Sequence, residues 1–390
     1  MALRDLLNRS DFRLEDLIFP LFVYESENVY EQSLISGHMN KSKVYVDRFE
    51  DLLEQLIDLG ISQILLFGVP KKRNENGNLS SAKHGVIQKS IRNIRKNFGN
   101  NFRIFSDVCL CQYNTSGHCG ILTNKTDKRD IIDYSSRTEI DNDKTLVSLG
   151  RVSLSLCESG TDFIAPSAMM DGQVLYLRKL LNTHGYEHVK ILSYSAKHNS
   201  CLYSPFRTNN YLKPDFIDKS SYQCSFYNKR ESLREILSDI DEGSDWVMIK
   251  PSLWYMDIIR HAREIIKMPI VVQNVSGEYA LMKSAMTLEF INGAHIEDKN
   301  ESIKKPLLSK RFLGSNQKIN FRSREKGQLQ KLTNMESLTS DGFGWNENSF
   351  FNNDPIASFI LLLKRAGADK IITYFLLDLL SKKGIDKRTI

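Results

Sequence analysis

Two lysines close short apolar runs in this 390-residue chain: Lys197 ends KILSYSAK and Lys250 ends DWVMIK. A lone lysine in that setting ordinarily buries its stem and keeps its ammonium in water. On neighbouring strands, spaced about 4.8 Å, two such residues would bring their amines within several Å of each other. An unperturbed lysine is only about 0.04% neutral at pH 7. A second cation and an apolar wall both lower its pKa, and it is the neutral amine that attacks a carbonyl. The pair predicts a Schiff-base site able to hold two carbonyl substrates. Cys109, Cys111 and Cys119 form C-x-C-x7-C. Three thiolates can hold Zn2+ and leave a fourth position open, the arrangement of a metal acting as a Lewis acid; the plainer alternative is a set of buried thiols at a strand end. His118 adjoins Cys119, which strains ligation by both. Cys157 reads as helix core, and Cys201 and Cys224 have no assigned role.

For these groups to converge, their strands must be neighbours. Short, nearly continuous apolar runs at 17–24, 63–69, 102–109, 162–167, 190–196, 245–250, 269–276 and 370–375 read as parallel strands buried on both faces. Amphipathic stretches at 47–59, 145–158, 174–183, 231–241, 257–266, 279–290 and 355–365 read as helices. Gly60, Gly160, Gly185, Gly243 and Gly367 stand where helices should close. Eight strands alternating with helices predict an α/β fold, a closed (β/α)8 TIM barrel. An open doubly wound sheet also fits the alternation, but no GxGxxG follows the first strand. A barrel enzyme carries its chemistry at the C-terminal strand ends, where Asp107, Cys109, Cys111, Ser167, Ser195, Lys197, Lys250, Ser276 and Tyr374 fall. Residues 198–223 form a basic, aromatic stretch with Tyr203, Phe206, Arg207, Lys213 and Lys219, read as a lid that recognises a carboxylate. Residues 297–353 lack apolar periodicity and read as a surface insertion between strands 7 and 8 of a single domain.

Composition limits the alternatives. With 41% hydrophobic and 26% charged residues, the chain is neither disordered, collagen-like nor a small disulfide scaffold. The net charge of +6 is local: residues 299–331 hold ten Lys/Arg against two Asp/Glu. The remainder is slightly acidic, which argues against a nucleic-acid partner for the main body. No run reaches bilayer-spanning length, and the N-terminal residues show no secretory pattern. The expectation is a soluble, cytoplasmic protein with no membrane partner and with reduced cysteines.

The runs DVCLCQY…GHCG, APSAMMDGQV, LSYSAK…YSPFR, VMIKPSLWYMDIIR, VSGEYALMK and KRAGADKIITYF resemble the 5-aminolevulinate dehydratase (porphobilinogen synthase) family, from about residue 13 to 383 apart from the insertion. The resemblance implies a (β/α)8 barrel that condenses two molecules of 5-aminolevulinate, with loss of two waters, in tetrapyrrole (heme) biosynthesis. It implies that Lys250 forms the Schiff base with the propionate-side substrate and Lys197 with the acetate-side one. Ser276 and Tyr374 would hold the first carboxylate, and Arg207 and Lys219 the second; Lys219 stands where many relatives have Arg. Asp107 and Ser167 would line the site. Cys109, Cys111 and Cys119 match the zinc-dependent subgroup, and Glu235 matches an allosteric Mg2+ ligand. The family is homo-octameric. Only sixteen residues precede the first strand, so its N-terminal arm is mostly missing and the expected oligomer is of open size. Leu34-Ile35-Ser36-Gly37 replaces the family's SMPG turn, and Gln273-Asn274 stands where relatives often have Tyr-Gln or Tyr-Asn. The competing readings are another lysine Schiff-base aldolase or lyase on the same barrel, and a drifted, non-catalytic homologue.

Overall fold

The structure is a computed structural model and describes residues 13–25, 43–46, 48–123, 139–203, 217–287, 355–376 and 378. The segment 297–353 lies outside them. Eight parallel strands form the barrel: β1 Leu17–Tyr24, β2 Gln63–Val69, β3 Arg103–Val108, β4 Phe163–Pro166, β5 Lys190–Lys197, β6 Trp246–Lys250, β7 Ile270–Gln273 and β8 Lys370–Ile372. Pairing of Leu17 with Ile371 and Ile18 with Ile372 closes the ring. A short extra strand, Lys43–Tyr45, pairs with the C-terminal half of β1. Buried on both faces, β1 and β2 contain no exposed residue, as their unbroken apolar runs require. Aromatic side chains fill the lower barrel, with Phe105 stacked on Phe163 at 4.3 Å and Trp246 tilted against Phe163 at 4.6 Å.

Helices α1 Glu50–Asp58, α2 Val86–Phe98, α3 Asn142–Ser159, α4 Gln173–Thr183, α5 Lys229–Asp241, α6 Met256–Ile265, α7 Ser276–Thr287 and α8 Pro355–Ala366 cover the sheet. Seven fall at the predicted places. The eighth, α2 (VIQKSIRNIRKNF), is polar enough to read as loop. It buries Ile87, Ile91 and Ile94 at helical spacing, and its buried Gln88 donates to Ser80 O and Ser155 Oγ. Strands 7 and 8 end earlier than predicted. The amide of Val275 donates to Glu278 at 2.7 Å instead of to a ladder partner, so Ser276 starts α7 rather than ending β7, and Tyr374 follows β8.

At the N-terminal rim one device recurs three times. Arg95, Arg178 and Arg263, each on the helix before an odd-numbered strand, reach Asp162, Asp245 and Asp369 at the start of the next even-numbered strand, at 2.6, 2.6 and 2.5 Å. Each arginine also donates to the carbonyl of the glycine two residues before that aspartate, Gly160, Gly243 or Gly367. Each aspartate accepts a backbone amide from the preceding strand: Ile104, Ile191 or Ile270. The glycines sit at φ +97°, +102° and +122°, a region a side chain disfavours. At Gly367 a Cβ would also lie 2.6 Å from that of Arg263.

Candidate active site

A pocket enclosing about 610 Å³, its open mouth included, lies at the C-terminal strand ends. Lys197 and Lys250 are register partners across β5 and β6. That register depends on a bulge: Ser193 pairs with Val247 but Ala196 with Ile249, so β5 carries one residue more than β6. Ser193 and Ser195 turn to the helix layer, where the Ser193 hydroxyl donates to the buried Asp239 of α5 and the Ser195 hydroxyl, also felt by that carboxyl, donates to Ser193 O at 3.4 Å. Strict alternation would send Lys197 outward with them. The extra residue turns it inward. The expectation that Ser195 faces the site is thereby corrected.

Both lysines line the pocket and approach one ring, Tyr194, with Nζ at 5.5 Å for Lys197 and 5.2 Å for Lys250. Lys197 Nζ donates to Ser167 O at 2.5 Å. Burial, and then the neighbouring Lys197 charge, lower the Lys250 pKa to about 7, while Asp107 pulls the other way. Asp107 is itself pushed up by burial, against a hydrogen bond from Ser167 and the charges of both lysines. Its Oδ1 is buried with no hydrogen-bond partner among the described residues.

The loop after β3 gathers the three cysteines, whose sulfurs all lie within 4.8 Å of one another; Cys109 and Cys111 are 3.3 Å apart. Hydrogen bonds from Cys109 and Cys111 hold the Cys119 thiol well below its ordinary pKa. Such a cluster of soft donors, one already biased to thiolate, fits Zn2+ better than a hard cation. His118 is spent elsewhere, its Nδ1 3.1 Å from the Tyr222 hydroxyl. Lys219 is buried and its ammonium lies 3.4 Å from Cys119 Sγ, so it borders both the sulfurs and the pocket.

Ser276, Tyr374, Ser167 and Asp107 all line the same cavity. Phe22 and Phe67, stacked at 4.9 Å, form part of its wall. Arg207 lies outside the described residues, as does 204–216 of the expected lid. The two flanks of that stretch meet beside Lys197: Cys224 N donates to Lys197 O and Asn199 N to Cys224 O, both at 3.0 Å. Glu235 stands apart on α5, outside the pocket. Burial raises its pKa, helped by Asp171, Glu231 and Glu242. Sequence reasoning missed Phe22, Phe67, Gln112 and Gln273 as lining residues, and missed Tyr194, whose ring both lysine amines approach. Tyr194 had a signal, since it alternates with two serines inside an apolar strand.

The sequence profile described as delta-aminolevulinic acid dehydratase matches residues 1–305. The chain belongs to the delta-aminolevulinic acid dehydratase family. Among relatives bearing that name, the protein of Methanothermus sociabilis is 39% identical over 78% of this chain and 89% of its own length. The protein of Helicobacter pylori strain J99 is 40% identical over 74% and 85%. The crystal structure of the Toxoplasma gondii ME49 dehydratase (porphobilinogen synthase) with its product porphobilinogen aligns with a TM-score of 0.72 and 25% identity, over all of this chain and 92% of that one. The dehydratase profile stops at 305, yet β8, at 370–372, closes the barrel, and Tyr374 just after it lines the pocket. No described helix is long and apolar enough to cross a membrane.

Proposed function

We propose that this pocket condenses two molecules of 5-aminolevulinate into porphobilinogen, with Lys250 and Lys197 each capturing one ketone. The observation that carries this is the in-register lysine pair on one wall, with Lys250 at a pKa of about 7. Attack by each neutral amine on a ketone carbon, followed by expulsion of the oxygen as water, gives two iminium ions. Loss of an α-proton from the molecule on Lys197 gives an enamine, whose carbon attacks the iminium carbon on Lys250. The amino group of the Lys250-bound molecule then replaces Lys197 at the other ketone carbon. Elimination from Lys250 and a final proton loss aromatise the ring. Both lysines are regenerated, and the two ketone oxygens have left as two waters.

Ser276 and Tyr374 hold the carboxylate of the Lys250-bound molecule in this reading. Lys219 and Arg207 hold the other, with residues 198–223 as the lid. Asp107, whose carboxyl feels the charges of both lysines, exchanges protons with the amines, and Ser167 orients it. Cys109, Cys111 and Cys119 would hold Zn2+, which when bound supplies a Lewis acid for the departing oxygens. Glu235, within its acidic neighbourhood, is the proposed Mg2+ ligand. A cytoplasmic homo-oligomer, with 297–353 as a surface insertion, completes the reading.

Borohydride reduction with 5-aminolevulinate, followed by peptide mass mapping, tests the assignment. The adduct should sit on Lys250, and an unmodified Lys250 would overturn it. Protein stripped by chelation should still form that adduct, yet turn over only when Zn2+ is restored; full turnover without metal would remove the zinc role.

A further inference from the structure

Glu278, the third residue of α7, is completely buried. Its Oε2 accepts Val275 N at 2.7 Å and Asn274 Nδ2 at 3.3 Å. That half of the carboxylate has a local explanation, because a glutamate in the first turn of a helix commonly reaches back to a preceding amide. Its Oε1 does not. It accepts Ser252 N at 2.8 Å and Leu253 N, and the Ser252 hydroxyl lies 3.3 Å from both oxygens. Ser252 and Leu253 belong to a different loop, the turn that immediately follows Lys250. Among the described residues no lysine or arginine forms an ion pair with Glu278. The carboxylate is thus held by donated hydrogen bonds alone, and those donors come from two separate βα loops.

Each loop carries one end of the same half-site. The Lys250 turn presents the amine. The 274–276 turn presents Ser276, which lines the pocket. The start of α7 is also packed hard against the lid flank: a Cβ on Gly277 would lie 2.5 Å from Leu202 O, and Ser276 Oγ donates to that carbonyl at 3.5 Å. The 274–278 segment therefore cannot drift without moving its neighbours.

We propose that Glu278 is a positioning residue that ties the Lys250 turn to the Ser276 turn and so sets the ketone-to-carboxylate span that the pocket accepts. The inference rests on the reading that one substrate bridges Lys250 and Ser276. A γ-keto acid fits the braced span, and a δ-keto acid is one methylene too long. Glu278→Gln offers an amide NH2 to donors already facing that position, and Glu278→Asp shortens the brace. Either change frees the two turns relative to each other.

The test uses the full chain and two probes that lack the amino group, 4-oxopentanoate and 5-oxohexanoate, trapped with borohydride and quantified at Lys250 by peptide mass mapping. Wild-type protein should trap the shorter acid about tenfold better, the usual discrimination for one methylene. In E278Q and E278D that ratio should collapse towards one, while the pH midpoint of trapping stays at its wild-type value. A merely structural role would lower trapping of both probes together and leave the ratio intact, and an unchanged ratio in a folded variant overturns the proposal. Should both variants fail to fold, Asn274→Ala removes one donor and leaves the carboxylate in place. It should narrow the ratio in the same direction, and an unchanged ratio there is equally fatal. Absence of any adduct at Lys250 in wild-type protein would instead sink the underlying assignment of the lysine.

Discussion

Lys250 is the side chain whose chemistry depends most on its surroundings. With its pKa lowered to about 7, about half of it is neutral at pH 7, against about 0.04% for an unperturbed lysine. Adduct formation at Lys250 with 4-oxopentanoate should therefore rise with pH through a midpoint near 7. Lys197→Gln removes a neighbouring cation that disfavours the ammonium, so the pKa rises and the midpoint should move up by about one unit. Asp107→Asn removes an anion that favours the ammonium, so the midpoint should move down. Trapping at several pH values in the two variants checks both signs, and shifts in the same direction would refute the electrostatic account. Much of this was legible from residue type and position: the lysines, Asp107, Ser167 and the three cysteines do meet in one place. The contacts of Glu278 across to Ser252 and Leu253 were not, because those donors lie in another loop, and backbone amides leave no mark in the residue pattern.

At the level of elements, the rim clamps hold strand to helix to strand. Arg178 is mostly buried and donates to Gly243 O, Val189 O and Asp245. Arg178→Ala strands those acceptors and should destabilise the fold by about 2–4 kcal/mol, read as a lowered urea midpoint with unchanged adduct formation at Lys250. A loss below a few tenths of a kcal/mol would mean that solvent satisfies the acceptors. This device was visible in the chain without being recognised: Gly160-Thr161-Asp162, Gly243-Ser244-Asp245 and Gly367-Ala368-Asp369 repeat G-x-D immediately before a strand. Arg95 and Arg178 each lie 67 residues before their aspartates. The bulge in β5 had no such signal. KILSYSAK read by strict alternation puts Lys197 on the wrong face, and only the pairing with β6 and the Asp239 anchor correct it. Helix α2 was hidden by composition, since eight of its thirteen residues are polar or charged.

Over the whole molecule, positive charge is concentrated in residues 299–331 and the remainder is slightly acidic. The barrel takes its eight strands from either side of that stretch. Replacing 297–353 with a short glycine-serine linker should therefore leave adduct formation at Lys250 within about twofold of wild type, since all eight strands and the described pocket residues lie outside that stretch of sequence. A folded deletion protein that forms no adduct would show that the stretch contributes to the pocket. The β8 segment was readable despite lying beyond the basic stretch, because KRAGADKIITYF carries both its G-x-D start and its apolar core.

The two rims of the barrel have separate duties. Asp245 and Lys250 bound a single strand, and at the usual rise per residue they stand about 17 Å apart. Substitutions at that distance combine almost independently. An engineer seeking a heat-tolerant biocatalyst could accumulate changes around the salt-bridged base of the barrel and leave the reactive amines untouched.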